Sequence, residues 1–411
     1  MKILQVNKFW RVQGGTERYV FELSRMLAGL GHEIVPFAMM DENNEPSPYS
    51  SLFVSPVELS DPYRVPFWKR AGIAGRIIYS REARSRISAL ADIVRPDVAH
   101  IHNIYHHMSP SILPPLRERG IGAVMTIHDY KLFCPALRHY NSNGVCDSCR
   151  PFHYADCVKG RCVKNSRAAS LLCAAEMFLH DLFEAYIRWI DVFIAASQFV
   201  ASRLYARGID AGRVEIIPNA VDPDRWSPAK NAGAGDYVLY AGRLTREKGT
   251  ETMIRALAER PEIPLKVAGT GMNESRCRML ARELGADNIE FLGFRREEEI
   301  RRLMQGCRFV VVPSEWYENA PMSVLEAFAC GRPAVGTRMG GIPELVREGE
   351  TGLLTEAGGE QGLREAVGSL WSDPDLAGRM GENARRLAET DYSSQTHCDR
   401  IINVYQKVKR T

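Results

Sequence analysis

Apolar residues in this chain recur as short runs that end in polar or glycine residues. In the first half such runs stand at KILQVN, HEIVPFAM, PDVAHIHN, GAVMTIHDY and IDVFIAASQF. Continuous apolar runs of this length are typical of strands buried on both faces of a parallel sheet. Amphipathic segments such as GGTERYVFELSRMLAGLG separate them and predict helices. The alternation predicts a doubly wound α/β domain.

The second half repeats this pattern after a linker rich in Pro, Asn, Asp and Gly at 218–236. Its apolar runs are YVLYAG, LKVAG, IEFLG, RFVVVP, PAVGT and TGLLT. A chain of 411 residues exceeds the roughly 250–300 at which one core stops growing. We therefore predict two Rossmann-like domains that face each other across a binding cleft, at 1–218 and 219–390, with a terminal helix at 391–411 packing back on the first.

Composition excludes several classes of protein. A net charge of +3 is too small to indicate nucleic-acid binding. No apolar run approaches the ~20 residues of a membrane span, and the first residues read as a strand without a signal region. We expect a cytoplasmic protein.

One segment departs from this average composition. Residues 64–87 are rich in Arg and Lys, interleaved with apolar residues such as Trp68 and Ile77. Such an amphipathic helix is either a solvated surface helix or one that lies on the anionic inner face of a membrane.

Two glutamates flank the start of a predicted helix at 321–330. Pro321 suits its first position, and Gly331 suits the residue after its end. Glu326 lies within this helix on an otherwise uncharged stripe, whereas Glu318 lies in the preceding loop. A carboxylate at Glu326 either reaches solvent or is held by hydrogen-bond donors. Ligand sites in such sheets lie beyond the carboxyl ends of the strands.

Four loops follow strands at this predicted edge. Arg243 and Lys248 share one loop and can hold a diphosphate by charge and by forked hydrogen bonds, unless the loop is an exposed basic turn. The other three loops carry paired glycines, and helix N-termini beside them can receive phosphate oxygens. The glycines are Gly14 and Gly15, with Thr16 as the expected helix cap, then Gly269 and Gly271, and Gly340 and Gly341.

Taken in order, GGTER, TIHDY, IPNAVD, GRLTREKG, the pair Glu318 and Glu326, and GGIPELV resemble the family-4 retaining glycosyltransferases, which are glycogen-synthase-like and have the GT-B fold. The likeness covers most of the chain and is strongest over 215–355. It implies transfer of a hexose from a nucleotide-diphosphate sugar to a hydroxyl of a polysaccharide, a lipid-linked glycan or a small glycoside.

The resemblance also implies roles for individual residues. Arg243 and Lys248 match the pair that binds the diphosphate, Glu326 the ribose ligand and Glu318 a residue near the donor sugar. His128 matches a histidine near donor sugar and acceptor. The implied catalytic residues are Glu318, His128, Arg243 and Lys248. The implied donor-binding residues are Gly14, Gly15, Arg243, Lys248, Gly269, Asn319, Ala320, Pro321, Met322 and Glu326.

No cofactor is expected for this reaction, since cationic side chains and helix N-termini can stabilise the departing diphosphate. Two other interpretations stay open. A sugar-nucleotide epimerase of similar architecture would release an altered donor without an acceptor, and an inactive scaffold would use its cysteine-rich insert for recognition.

Histidines crowd two predicted strand ends. His128 is either functional or a core-edge residue bonded to a carbonyl. His100, His102, His106 and His107 follow the neighbouring strand, and we expect them to line the cleft rather than to bind a metal.

Five of the ten cysteines fall in an insert at 134–162 of the first domain. Clustered cysteines in a cytosolic protein indicate a metal site before disulfides, and structural zinc takes four ligands. The expected set is Cys146, Cys149, Cys157 and Cys162, with Cys134 as a substitute; reduced thiols without metal are the alternative. From its position after His128, we expect the insert to shape the acceptor pocket.

Overall fold

The computed structural model describes residues 1–57, 67–229, 233 and 235–410. Its first half folds into a six-stranded parallel sheet with a two-stranded hairpin inserted after the fourth strand. The strands are β1 (Lys2–Val6), β2 (Glu33–Phe37), β3 (Val98–Ile101), β4 (Gly122–Ile127), the hairpin β5 (Tyr140–Asn141) and β6 (Gly144–Val145), β7 (Val192–Ala195) and β8 (Val214–Ile216).

The strand order of this first sheet is β2-β1-β3-β4-β7-β8, so the chain reverses direction across the sheet between β1 and β3. Strands β3, β4 and β7 are buried along their whole length, as their apolar runs predict. The helices of this half are α1 (Gly15–Gly29), α2 (Phe67–Ile78), α3 (Arg81–Val94), α4 (Leu113–Glu118), α5 (Ala155–Lys159), α6 (Arg167–Leu182) and α7 (Gln198–Ala206).

The second half forms another six-stranded parallel sheet, of order β11-β10-β9-β12-β13-β14. The reversal lies between β9 and β12, the arrangement of a dinucleotide-binding sheet. The strands are β9 (Val238–Ala241), β10 (Leu265–Ala268), β11 (Ile289–Gly293), β12 (Phe309–Val312), β13 (Ala334–Thr337) and β14 (Gly352–Thr355). The helices are α8 (Thr250–Ala258), α9 (Glu274–Glu283), α10 (Glu297–Gly306), α11 (Met322–Ala329), α12 (Ile342–Leu345), α13 (Glu360–Ser372), α14 (Pro374–Glu389) and α15 (Ser394–Val408).

Helix α15 returns to the first sheet. Its residues Ile401, Val404 and Tyr405 share a buried cluster with Ile3 and Val124 of that sheet. The hydroxyl of Tyr405 lies 2.6 Å from His100 Nδ1. The last helix therefore ties the carboxyl end of the chain to the first domain.

Local boundaries differ from the sequence prediction in two places. The basic segment 64–87 is two helices, because the Ser80 side chain accepts from Ala83 N and starts α3 afresh; residues 64–66 lie outside the described residues. Pro321 has an extended backbone and is the N-cap of α11 rather than its first residue. The linker positions 230–232 and 234 also lie outside the described part of the chain.

Among the described residues, no helix combines the length and the apolar character needed to cross a bilayer.

Candidate active site

A lysine and a glutamate from two loops of the second domain meet at the carboxyl edge of its sheet. Lys248 ends a short 3₁₀ turn just before α8, and Glu318 lies in the loop after β12. Lys248 Nζ is 2.5 Å from Glu318 Oε1, and the Ser314 hydroxyl donates to the same oxygen at 2.5 Å. Because Glu318 is buried, this ion pair is stronger than one on the surface.

Close backbone packing fixes the position of Glu318. The amide of Gly341 donates to the Glu318 carbonyl at 2.7 Å. Gly340 has φ of 60°, and a Cβ there would lie 2.2 Å from that carbonyl oxygen. The GGIPELV motif therefore holds the loop that carries Glu318, a structural role that the sequence did not reveal.

Arg243 lies on the loop after β9. Its carbonyl accepts from the Tyr240 hydroxyl at 2.7 Å, which holds the turn. Gly269 packs against this turn, because a Cβ there would lie 1.9 Å from the Gly242 carbonyl oxygen. The Arg243 side chain is exposed and forms no ion pair with any described residue. It is free to meet an anion at the cleft.

Glu326 is buried in α11 rather than facing solvent. Arg18 of α1, from the other domain, places Nη1 2.6 Å from Glu326 Oε1. That oxygen nevertheless accepts no hydrogen bond of good geometry. Burial raises the pKa of Glu326 to about 7, against the opposing effect of the Arg18 charge. The carboxylate keeps capacity to accept from a hydroxyl.

Sequence reasoning missed Arg18 and Ser314. Arg18 is the last residue of the GGTER motif, in which only Gly14, Gly15 and Thr16 were assigned roles, so its charge was an available signal. Ser314 directly follows the predicted strand, but a serine there carries no signal by itself. Each partners one of the two glutamates only after the chain folds.

The loop 319–322 is held against the first domain. Asn319 Nδ2 donates to the His128 carbonyl at 2.9 Å, and the Ala320 carbonyl accepts from Asn219 Nδ2 at 3.0 Å. Asn319 Oδ1 is buried and has no hydrogen-bond partner. These contacts bring His128 and the 319–322 loop together.

The first-domain histidines form a buried hydrogen-bonded chain. His102 Nε2 lies 2.8 Å from Gln5 Oε1, and His102 Nδ1 lies 2.9 Å from His128 Nε2. Since the amide oxygen can only accept, Nε2 of His102 carries its proton and Nδ1 accepts from His128. Burial is the main cause that lowers the pKa of His128 to about 3, and repulsion from a protonated His397 adds to it. The His128 ring is therefore neutral.

The prediction that His100 and His102 line the cleft is wrong. His100 is fully buried between the hydroxyls of Tyr405 and Thr126. His107 is also buried, while His106 Nδ1 lies 3.5 Å from the carboxylate of Glu176. Polar atoms on interior strands find partners within the fold, which a linear pattern does not show.

One compact group in the described ranges has the spacing of metal ligands. The ligand atoms of His106, Cys173 and Glu176 lie within 4.8 Å of one another. Lys131 Nζ, however, is 2.7 Å from Glu176 Oε2, and both side chains are 1% exposed. A buried ammonium already neutralises this carboxylate, so we assign the group to the buried ion pair.

The glycines after β1 lie at the start of α1. Gly14 is the extended N-cap of α1, and no side chain caps that helix, so the predicted cap by Thr16 is wrong. The Thr16 hydroxyl instead accepts from Asn103 Nδ2 at 3.4 Å. A Cβ at Gly15 would meet nothing within 4 Å. This end of α1 is therefore open to a ligand.

The five insert cysteines surround a single small cavity of about 60 Å³. All five are free thiols, and four of them are half-buried while Cys157 is buried. This arrangement unites the predicted ligands Cys146, Cys149, Cys157 and Cys162 with the substitute Cys134.

Two family models cover nearly the whole chain. Residues 13–225 match the model described as Glycosyltransferase Family 4, and residues 224–387 match Glycosyl transferases group 1. The two matches follow the two domains in order.

Curated relatives give the same result. Glycogen synthase of Mycobacterium tuberculosis strain H37Rv is 29% identical over 100% of this chain and 95% of its own. D-inositol 3-phosphate glycosyltransferase of Corynebacterium jeikeium is 32% identical over 47% of this chain, and the match spans about half, 52%, of that relative.

Solved structures share the whole architecture. Sucrose-phosphate synthase from Thermosynechococcus elongatus superimposes with a TM-score of 0.74 at 21% identity, covering 99% of this chain and 98% of that one. HepE from Anabaena, in complex with UDP-glucose, gives 0.68 at 18% identity, covering 99% and 100%. With two facing parallel-sheet domains and a family model that spans more than half of its residues, this chain belongs to glycosyltransferase family 4 and has the GT-B fold.

Proposed function

We propose that this glycosyltransferase moves a hexose from a nucleotide-diphosphate sugar to a hydroxyl acceptor, with retention of configuration and without a metal ion in the reaction. The observation that carries the proposal is the ion pair between the partly exposed Lys248 and the buried Glu318, with the exposed Arg243 on the same loop as Lys248. One loop supplies cations to the diphosphate, and a neighbouring carboxylate stands where the sugar would lie.

Breaking the sugar–phosphate bond places positive charge on the sugar ring and negative charge on the departing diphosphate. Arg243 and Lys248 stabilise the negative charge from a preorganised loop. Glu318, held by Ser314, faces the developing positive charge and the sugar hydroxyls. In front-face attack, the departing phosphate oxygen receives the proton of the acceptor hydroxyl as the new glycosidic bond forms.

Glu326 is proposed to bind the ribose of the donor. No hydrogen-bond donor is well oriented toward its Oε1, and either of the two ribose hydroxyls would supply that donor. Asn319 Oδ1 has the same unfilled capacity beside the donor sugar. His128, neutral and next to Asn319, fits a hydrogen-bonding role toward sugar or acceptor rather than proton transfer.

This chain contains two Asp-Pro-Asp triplets, and the hydrogen bonds of their first aspartates support metal-independent transfer. Asp222 Oδ1 accepts from the backbone amides of Asp224 and Arg225. Asp373 Oδ1 accepts from Leu376 N at the start of α14. Both aspartates therefore act as turn or helix caps rather than as ligands in the cleft.

The test uses the full chain with a panel of nucleotide sugars. A donor that binds the folded state raises its melting temperature and identifies base and sugar. With that donor and a simple glycoside acceptor, proton NMR of the first product gives its anomeric configuration. Retention in magnesium- and manganese-free buffer supports the proposal. An inverted product contradicts it, as does a requirement for added divalent ions.

The same assay separates the alternatives. An epimerase would convert the sugar nucleotide without an acceptor, whereas an inactive scaffold would neither transfer nor hydrolyse any donor. The family assignment favours transfer.

We also propose peripheral contact with the anionic inner face of a membrane through 64–87 and the adjoining α6. Helix α2 packs against α6, where Leu171, Phe178 and Leu182 are exposed on one face, with Phe183 beside them. Part of the basic charge is used internally, since Arg76 and Arg84 pair with Glu82 and Glu118.

Vesicle sedimentation tests this contact. Binding to phosphatidylserine vesicles but not to neutral ones, lost in Phe178→Asp, supports it. Met272→Asp, at an exposed position of the other domain, is the matched control. Equal binding by both variants contradicts the contact.

A further inference from the structure

The cysteine insert has the features of an unassigned metal site. Its cavity is lined by all five thiols of 134–162 and by His139. His139 is 3% exposed, and its Nε2 has no hydrogen-bond partner. Its Nδ1 lies 2.9 Å from the Cys146 carbonyl, a contact that fixes the ring at the wall of the cavity.

The insert has little regular secondary structure of its own, although Tyr154 packs with Ala174 and Met177 of α6. Its hairpin strands β5 and β6 contain two residues each. Four of the described non-glycine residues with positive φ fall within it, namely Leu137, His139, Phe152 and Arg161. Such conformations persist only where surrounding contacts over-determine them. Small segments without a core usually need a metal or a disulfide, and these thiols are free.

The thiols are not equivalent. All five line the same cavity, but the Cys146 thiol donates to the Ser148 hydroxyl at 3.5 Å. This contact favours Cys134 over Cys146 as the fourth member of the set.

We propose that the insert binds one zinc ion in a tetrahedral site of four thiolates. The ligands are Cys134, Cys149, Cys157 and Cys162. Four thiolates in tetrahedral geometry favour zinc among the common divalent metals. With Zn–S bonds of about 2.3 Å, a bound ion would hold all four thiols around one point and so tighten the insert.

The insert touches the loop that leads to Glu318. Asp147 accepts from the Tyr317 hydroxyl at 3.0 Å and pairs with Arg203 at 2.7 Å. The Trp316 indole donates to the Arg138 carbonyl. Lys248 Nζ lies 5.2 Å from the Trp316 ring centre. A zinc-fixed insert thus positions loop 315–318, a consequence that rests on the proposed function.

Metal content tests the site without any assay of activity. The full chain, purified under reducing conditions from zinc-supplemented cells, is expected to retain about one zinc per chain by mass spectrometry. Cys149→Ser and Cys162→Ser should each lose at least nine-tenths of it. Cys277→Ser is the matched control, because Cys277 is buried in α9 beside Thr250, and it should retain the metal.

Cys134→Ser and Cys146→Ser decide the ligand set. Loss from the first and retention in the second supports the proposal, and the reverse overturns the assignment of Cys134. The site is overturned if the native protein is purified without metal and also fails to withdraw zinc from a chromogenic chelator. Bound iron, or a disulfide found by alkylation, also overturns it. Because the chelator competition uses native protein, it decides the question even if a variant does not fold.

The positioning role has its own readout. Removing zinc from the native protein should change the fluorescence of Trp316, identified by its loss in Trp316→Phe. Turnover should fall by up to about 100-fold, the effect expected of a misplaced catalytic group, and should recover when zinc is restored. Bound zinc without either change overturns the positioning role alone. Absence of all transfer by the zinc-loaded enzyme contradicts the proposed function and leaves the metal site intact.

Discussion

The two sheets reverse their strand order at equivalent places, yet the chemistry there differs. Beside the reversal of the first sheet, past the ends of β3 and β4, neutral His102 and His128 form a hydrogen-bonded chain. Beside the reversal of the second sheet, past the ends of β9 and β12, Lys248 forms an ion pair with the buried Glu318. One architecture thus places neutral polar groups at one reversal and paired charges at the other.

Burial explains why the first site stays neutral. Burial is the largest cause of the lowered pKa at each of His100, His102 and His128. In the second domain, Glu318 is instead offset by an ammonium. A buried charge persists where a partner of opposite sign lies within contact distance.

The largest expected effect is that of removing the cation in the second domain. Lys248→Ala should lower kcat by about 100- to 1,000-fold, the usual loss of one preorganised electrostatic contact to the leaving group. Lys266→Ala, where the ammonium lies over the Tyr237 ring, is the control and should retain its rate. Steady-state kinetics on folded protein measures both. Near-normal turnover of Lys248→Ala would remove the proposed leaving-group role.

Glu326→Gln should mainly affect donor binding. A neutral amide replaces a charged acceptor, so KM for the donor is expected to rise about 10- to 100-fold with a smaller change in kcat. Glu297→Gln is the comparison, because Glu297 also faces Arg18, at 3.6 Å, but is partly exposed. An unchanged KM in Glu326→Gln contradicts the ribose role.

Gly340→Ala isolates the packing that holds Glu318. Its new Cβ would meet the Glu318 carbonyl, and the residue has φ of 60°. Gly349→Ala has a similar φ of 74° with open space around it. We expect Gly340→Ala to lose roughly 1–3 kcal/mol more in free energy of unfolding than the control. Equal losses in urea titrations would show that the close contact is unimportant.

The neutral histidines predict acid sensitivity. Burial is the largest cause lowering the pKa of His106, His107 and His397 to about 4 and that of His128 to about 3. The unfolded chain therefore binds more protons below pH 6.5, and stability falls as pH drops toward 4. Each of these histidines lowers the free energy of unfolding by about 0.7 kcal/mol between pH 7 and pH 6.

Two carboxyl groups act in the opposite direction. Burial raises the pKa of Asp129 to about 6 and that of Glu326 to about 7, so both favour the folded state as they protonate. The histidines outnumber them, and the melting temperature should decrease from pH 7 to pH 5. A melting temperature that rises over this interval contradicts neutral burial of the histidines.

Sequence periodicity predicted the elements more accurately than their surroundings. The runs RFVVVP and VAHI became buried strands β12 and β3, because an uninterrupted apolar run cannot stay in water. The same run gave no sign that His100 would find Tyr405, more than three hundred positions away. Arg18 likewise pairs with Glu326 across the cleft, a contact that local pattern cannot encode.

By itself, the sequence determined two parallel α/β domains, the order of the family motifs and the identity of the charged residues after the strands. These follow from local periodicity, from glycine and proline, and from side-chain chemistry. The tertiary structure alone decided which charges are paired, which histidines are neutral and that five thiols enclose one cavity. Those outcomes depend on burial and distance between remote segments, since pairing and desolvation act through space and not along the chain.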